Sequence, residues 1–127
     1  MSRFKIGLMR FNRKKGHKYK AKKAIVDGIN FDSKLESQVY LLLKADSNIK
    51  SIDLQSKVYL TEAKILAKID FKIELQDGSV RYVEAKGMAT PVWNLKKRLW
   101  RKYGPSTLEI WGGSYTSPGL VDTVLVD

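Results

Sequence analysis

A chain of 127 residues has the length of one domain that can bury roughly two-thirds of its unfolded surface, and 43% hydrophobic residues argue against global disorder. The absence of cysteine excludes disulfides, a cysteine zinc site and a thiol nucleophile, and no apolar run of about 18 residues is present to cross a membrane. The net charge of +11 is concentrated: residues 1–23 hold ten Lys/Arg and no acid, whereas residues 24–127 hold fourteen against thirteen Asp/Glu. This division predicts a basic N-terminal arm (1–23) on a near-neutral domain (24–127), with nucleic acid as the first candidate partner and an acidic membrane surface as the second. No signal-peptide pattern opens the chain, so an intracellular protein is expected.

In the arm, Phe4, Ile6, Leu8, Met9 and Phe11 form an apolar cluster without a clean period. Arg13, Lys14, Lys15, Lys18 and Lys20 follow, with Tyr19 among them; the cations suit phosphates and the ring suits stacking. His17, the single histidine, reads as one more polar residue of the arm. Asp27-Gly28 is a turn signal between the short apolar runs 24–26 and 29–31. Ser33 followed by Glu36 is a capping box that starts a helix over 34–45, with Leu35, Val39, Leu42 and Leu43 as its apolar stripe. Glu36 has two readings, a capping carboxylate or one that reaches a site from the helix start. Residues 49–60 predict a strand with Ile52, Leu54, Val58 and Tyr59 partly buried and a phase slip near Ser56. Gln55 reads there as a surface amide.

Residues 65–75 alternate strictly, with Ile65, Ala67, Ile69, Phe71, Ile73 and Leu75 on one face and Asp70 on the other. A second alternating run leads to Glu84 and Lys86. Two turns are compatible with the join: a two-residue Asp77-Gly78 loop, which opposes Asp70 to Ala85, and a three-residue Gln76-Asp77-Gly78 loop, which opposes Asp70 to Glu84. The three-residue form is taken, because paired-carboxylate chemistry needs it or an equivalent bulge to bring the carboxylates to one face, with Lys86 about 7 Å beyond Glu84. Thr90-Pro91 then starts a helix that runs to Tyr103 and stops at Gly104-Pro105, with Val92, Leu95 and Leu99 as its apolar stripe. Lys96, Lys97, Arg98, Arg101 and Lys102 make it basic, either a solvated face or a phosphate-contacting one. Strands over 107–111 and 120–126, separated by a loop, complete the chain.

Two carboxylates with a lysine on adjoining strands suit phosphodiester hydrolysis. A divalent cation held by few carboxylates relieves phosphate charge, and an ammonium orients water or holds charge that develops on phosphorus. A lone Glu-x-Lys is common by chance. The ordered set Glu36, Asp70, Glu84-x-Lys86 on helix, strand and strand is more specific.

That set resembles the PD-(D/E)XK nucleases, in particular the junction-resolving phage-type endonuclease I, phage-encoded relatives that share a Phe-Asp-Ser-Lys-x-Glu helix start (here Phe31, Asp32, Ser33, Lys34 and Glu36), and the endonuclease subunit of a heteromeric transposase. The similarity covers residues 26–112; one departure is Ile69, where the family often has proline before the aspartate. The resemblance implies an α/β fold with a restriction-endonuclease-like αβββαβ core, a mixed sheet flanked by helices. It also implies Mg2+ or Mn2+ at Asp70, Glu84 and Glu36, Lys86 as catalytic lysine, and Gln55 in support. The expected function is a Mg2+-dependent endodeoxyribonuclease acting on branched DNA or Holliday junctions in phage DNA metabolism and recombination. A homodimer in the cytoplasm, the host cell's if phage-encoded, is the expected setting. The alternatives are a sequence- or transposon-end-specific nuclease of the same fold, and a non-catalytic basic nucleic-acid-binding protein.

Overall fold

The structure, a computed structural model, describes residues 23–87 and 90–127. Arg13, Lys14, Lys15, Lys18, Lys20 and the apolar cluster of the arm lie outside the described residues. A small hairpin comes first, β1 (Ala24–Val26) and β2 (Ile29–Phe31). Asp27 and Gly28 between them have φ of 54° and 77°, as a tight two-residue turn with both residues left-handed requires.

Helix α1 (Lys34–Ala45) is capped as its sequence predicts, the Ser33 hydroxyl accepting from the Glu36 N–H at 3.0 Å. Its buried face is Val39, Tyr40 and Leu43, whereas Leu42 is 44% exposed. Tyr40 takes the expected place of Leu42 because its ring lies 5.2 Å from that of Phe31 and 6.3 Å from that of Phe71, while its hydroxyl donates to Asp27. Asp27 also pairs with Lys44, which ties the small hairpin to the helix.

Five strands form one sheet in the order β3 (Ile49–Leu60), β4 (Ile65–Leu75), β5 (Val80–Ala85), β6 (Leu108–Gly112) and β7 (Gly119–Val124). All neighbours are antiparallel except β5 and β6, which are parallel and joined by helix α2 (Pro91–Tyr103). The described residues therefore form an α/β protein with a mixed sheet and two helices, in the element order expected from the periodicity. Neither helix is long and apolar enough to cross a membrane.

The β4–β5 turn is the three-residue form. The Leu75 N–H donates to Ser79 O at 2.8 Å and the Gly78 N–H to Leu75 O at 2.9 Å, with Gly78 at φ 88°. The ladder runs Glu74↔Val80 through Phe71↔Val83, so its next step sets Asp70 opposite Glu84.

Two apolar clusters lie on the sheet. One, with α1, contains Phe31, Val39, Tyr40, Leu43, Phe71, Ile73 and Val83. The other, with α2, contains Val58, Leu60, Ala67, Ile69, Tyr82, Trp93, Trp100 and Leu108. The alternating residues of β4 are thus divided: Ala67 and Ile69 serve the α2 cluster, Phe71 and Ile73 the α1 cluster. The changeover falls at Asp70, across from Gln55, whose φ is 54° and which interrupts the ladder between Leu54↔Phe71 and Ser56↔Ile69. A single left-handed residue on top of the natural twist of a long hairpin turns its outer half toward the other helix. The expected phase slip near Ser56 does not occur: the register is the same on both sides of Gln55 and shifts instead between Ile49 and Ser51, so the alternation continues, exposing Tyr59 to 59% and burying Leu60.

Helix α2 departs from its expected stripe. Val92 and Leu95 are 57% and 48% exposed, and the buried side chains are Trp93 and Trp100. Two indoles seven residues apart offer far more area to bury than the smaller side chains, and they set the rotation of the helix. The Trp100 indole donates to Ser106 O at 2.8 Å and stands edge-on to Tyr82.

Candidate active site

The interruption at Asp70 and Gln55, the end of β5 and the first turn of α2 converge on one cleft of ≈ 280 Å³. Gln55, Asp70, Glu84, Lys86 and Lys96 all line it, so five of the residues singled out in the sequence meet there.

At Asp70 the backbone ladder gives way to side chains. The Asp70 N–H donates to Glu84 Oε1 at 3.0 Å, and the Ala85 N–H donates to Asp70 Oδ2 at 2.9 Å. Each carboxylate occupies the place of a strand carbonyl, which locks both orientations with backbone donors. Glu84 is 9% exposed and Glu36 7%. The Gln55 amide nitrogen donates to Glu36 Oε2 at 3.1 Å and reaches Asp70 Oδ1 at 3.4 Å, so Glu36 joins the set through Gln55. Of Glu36, the backbone N–H donates to the Ser33 hydroxyl, while the carboxylate accepts from Gln55 and makes no reciprocal capping bond to the Ser33 N–H among the described residues. Gln55 adopts a conformation that costs a side-chain-bearing residue roughly 1–2 kcal/mol, and it is the residue that bridges the carboxylates.

Burial dominates the electrostatics of the three carboxyls. Burial pushes the Glu36 carboxyl up to about 8, and the charges of Asp70 and Asp32 add to it. Burial raises Asp70 to about 6 against the lowering pull of the Ala85 N–H, Gln55, Glu84 and Lys86. Glu84 is held well above the ordinary carboxylate range, first by burial and then by Asp70. Such a cluster holds a proton or a cation near neutral pH. Among the described residues no three His, Cys, Asp or Glu side chains form a ready-made metal-holding group; Asp70 and Glu84 are the adjoining pair and Gln55 links them to Glu36. Two carboxylates with lone pairs to spare fit a cation such as Mg2+, which keeps several waters and takes few protein ligands.

Lys86 leaves β5 with its N–H donating to Trp111 O at 2.8 Å, and its ammonium stands 5.0 Å from the centre of the Trp93 ring. Thr90 caps α2 through the Trp93 N–H at 3.1 Å, which places the indole in the first turn. Gly112, at the end of β6, lies so close that a Cβ would meet Lys86 O at 2.8 Å. Among the basic residues of α2, Lys97 pairs with Asp122 on β7 at 3.0 Å, and Arg98, Arg101 and Lys102 are exposed.

Asp32, Lys68 and Trp93 also line the cleft, and the sequence reading assigned them no part in it. Lys68 could have been found, since it precedes Asp70 by two residues on one strand. Trp93 could not, because its approach to Lys86 depends on how α2 crosses the sheet.

A search of curated proteins returns no match. The model of the family described as "Protein of unknown function (DUF1064)" matches residues 16–111, a span that includes Glu36, Gln55, Asp70, Glu84 and Lys86, and the chain belongs to that family.

Proposed function

We propose that the chain is a divalent-metal-dependent DNA endonuclease of the PD-(D/E)XK type, selective for branched DNA and acting as a homodimer. The observation that carries this reading is the interlock of Asp70 with Glu84 beside Lys86 in one cleft, with Gln55 and Glu36 behind it. A purely binding surface for phosphates has no use for buried acids, which repel them.

Asp70 and Glu84, with Glu36 linked by Gln55, are the side chains that would hold Mg2+ or Mn2+, whose chemistry there is Lewis-acid relief of phosphate charge and activation of water. Lys86, braced by the Trp93 ring, orients the attacking water or holds charge gathering on the phosphate oxygens. Lys68 and Lys96, on the cleft wall, attract the strand. A single site per chain makes one nick, and paired nicks on opposed strands of a four-way junction call for a symmetric dimer.

The test is cleavage of linear duplex, flap and four-way-junction DNA with Mg2+, Mn2+ or chelator, together with molar mass by light scattering. Metal-dependent cutting of branched DNA by a dimer is expected. A monomer that cuts linear duplex equally well removes the branched-DNA part of the proposal, and no cutting of any DNA removes the nuclease.

A further inference from the structure

The β3–β4 hairpin extends past the last β4–β5 pair, Phe71↔Val83, as a two-stranded arm. One face of the arm is buried in the α2 cluster through Val58, Leu60, Ala67 and Ile69. The other face is open, and its register sets Lys57 opposite Lys68 and Tyr59 opposite Leu66. All four residues are exposed, Tyr59 to 59% and Leu66 to 39%.

The lysine pair is unusual for a sheet. Like charges directly opposite each other destabilise a ladder, and neither lysine is ion-paired among the described residues. The inner half of the same hairpin follows the opposite rule, with Asp53 facing Lys72. Two ammonium groups side by side, neither within ion-pair distance of a carboxylate among the described residues, favour a bound anion. Lys68 also lines the cleft that holds Asp70, two residues away along β4, which is about 7 Å. A further two residues lead to Leu66 and its partner Tyr59. These steps match the pitch of successive phosphates along a polynucleotide strand. Cations that track a backbone, followed by an exposed aromatic ring on which a base can stack, are the parts of a single-strand platform.

We infer that the open face of the β3–β4 arm carries an unpaired DNA strand away from the cleft, with phosphate on Lys57 and Lys68 and a base against Tyr59. The inference rests on the nuclease reading for its location and refines it: the preferred substrate has a single-stranded segment next to the phosphate that is cut, as in a flap or fork. A ring in this place gains nothing from an intact duplex, whose bases are stacked on each other.

The test uses the full chain in metal-free buffer, where binding is read without cleavage. Fluorescence anisotropy follows a labelled single-stranded oligothymidylate, a flap and a blunt duplex over a range of salt. Lys57→Gln with Lys68→Gln is expected to lower the salt slope on the single strand by about 0.7, the value for the one phosphate that the pair holds. Tyr59→Leu is expected to reduce the preference for flap over duplex about tenfold. Wild-type affinity, slope and preference in both variants would overturn the inference. So would a change of molar mass in Tyr59→Leu with single-strand affinity unaltered, since the face would then hold a second copy. A wild-type chain that binds through this arm yet never cuts with Mg2+ or Mn2+ keeps the strand track and overturns the nuclease reading alone.

Discussion

Gln55 is where the fold yields to the site. Its left-handed backbone breaks the β3–β4 ladder, divides the hairpin between two cores and aims one amide at Glu36 and Asp70. In Gln55→Gly the relief of backbone strain offsets the missing hydrogen bonds and the added chain freedom, so stability should stay within about 1 kcal/mol. Nicking should fall tenfold or more. Thermal unfolding beside a plasmid assay measures the two effects separately, and parallel losses would make Gln55 only structural. Glu36 makes the complementary prediction with pH. Its carboxyl is raised to about 8 from an ordinary 4.5, so the fold favours the protonated form. That contribution is fully present below about 4.5 and is lost as pH climbs through 8. In chelator the melting temperature should therefore fall over this range, Glu36→Gln should flatten the fall, and Mg2+ should restore more at pH 8 than at pH 5, because a cation must displace the proton. A wild-type profile that rises with pH over this interval contradicts the assignment.

At the scale of elements, the strand ends present the chemistry and their neighbours hold it in place. Lys86 is fixed by the close approach of β6, where the Cβ of any residue but glycine at 112 would press on the Lys86 carbonyl at 2.8 Å. Gly112→Ala should displace the lysine and lower cleavage tenfold or more while DNA binding stays within about twofold; unaltered cleavage would show that Lys86 does not depend on β6. Most of the elements were legible in sequence because local rules agree there: the Ser33 and Thr90 caps, the Asp27-Gly28 and Gly78 turns and the alternation of β4 all act over a few residues. The opposition of Asp70 to Glu84 was only half legible, because the turn residues allow two loop lengths and the chemistry of paired carboxylates chose between them. What was not legible depends on tertiary fit. The rotation of α2 is set by Trp93 and Trp100, the inward place of Tyr40 by the rings of Phe31 and Phe71, and the division of β4 by the conformation of Gln55, for which glutamine carries no local signal.

For the whole molecule, charge is divided between a near-neutral body that holds the acids and an arm that holds the excess of cations. Affinity and chemistry should then be separable. Removal of residues 1–20 should weaken binding to all duplexes alike and lower the salt slope by about 0.9 for each phosphate that the arm neutralises, with cutting retained at low salt. An unchanged slope would show that the arm does not clamp phosphates. The chemistry belongs to the body, and one assay addresses it: nicking of supercoiled plasmid in Mg2+ and in chelator by the wild type, Asp70→Asn and Glu84→Gln, with circular dichroism and DNA affinity measured on the same preparations. A nuclease site built on Asp70 and Glu84 requires nicking by the wild type in Mg2+ alone, and a loss of at least a thousandfold, about 4 kcal/mol of transition-state stabilisation, in both variants with fold and affinity preserved. Undiminished nicking by either variant, or equal nicking in chelator, would contradict it.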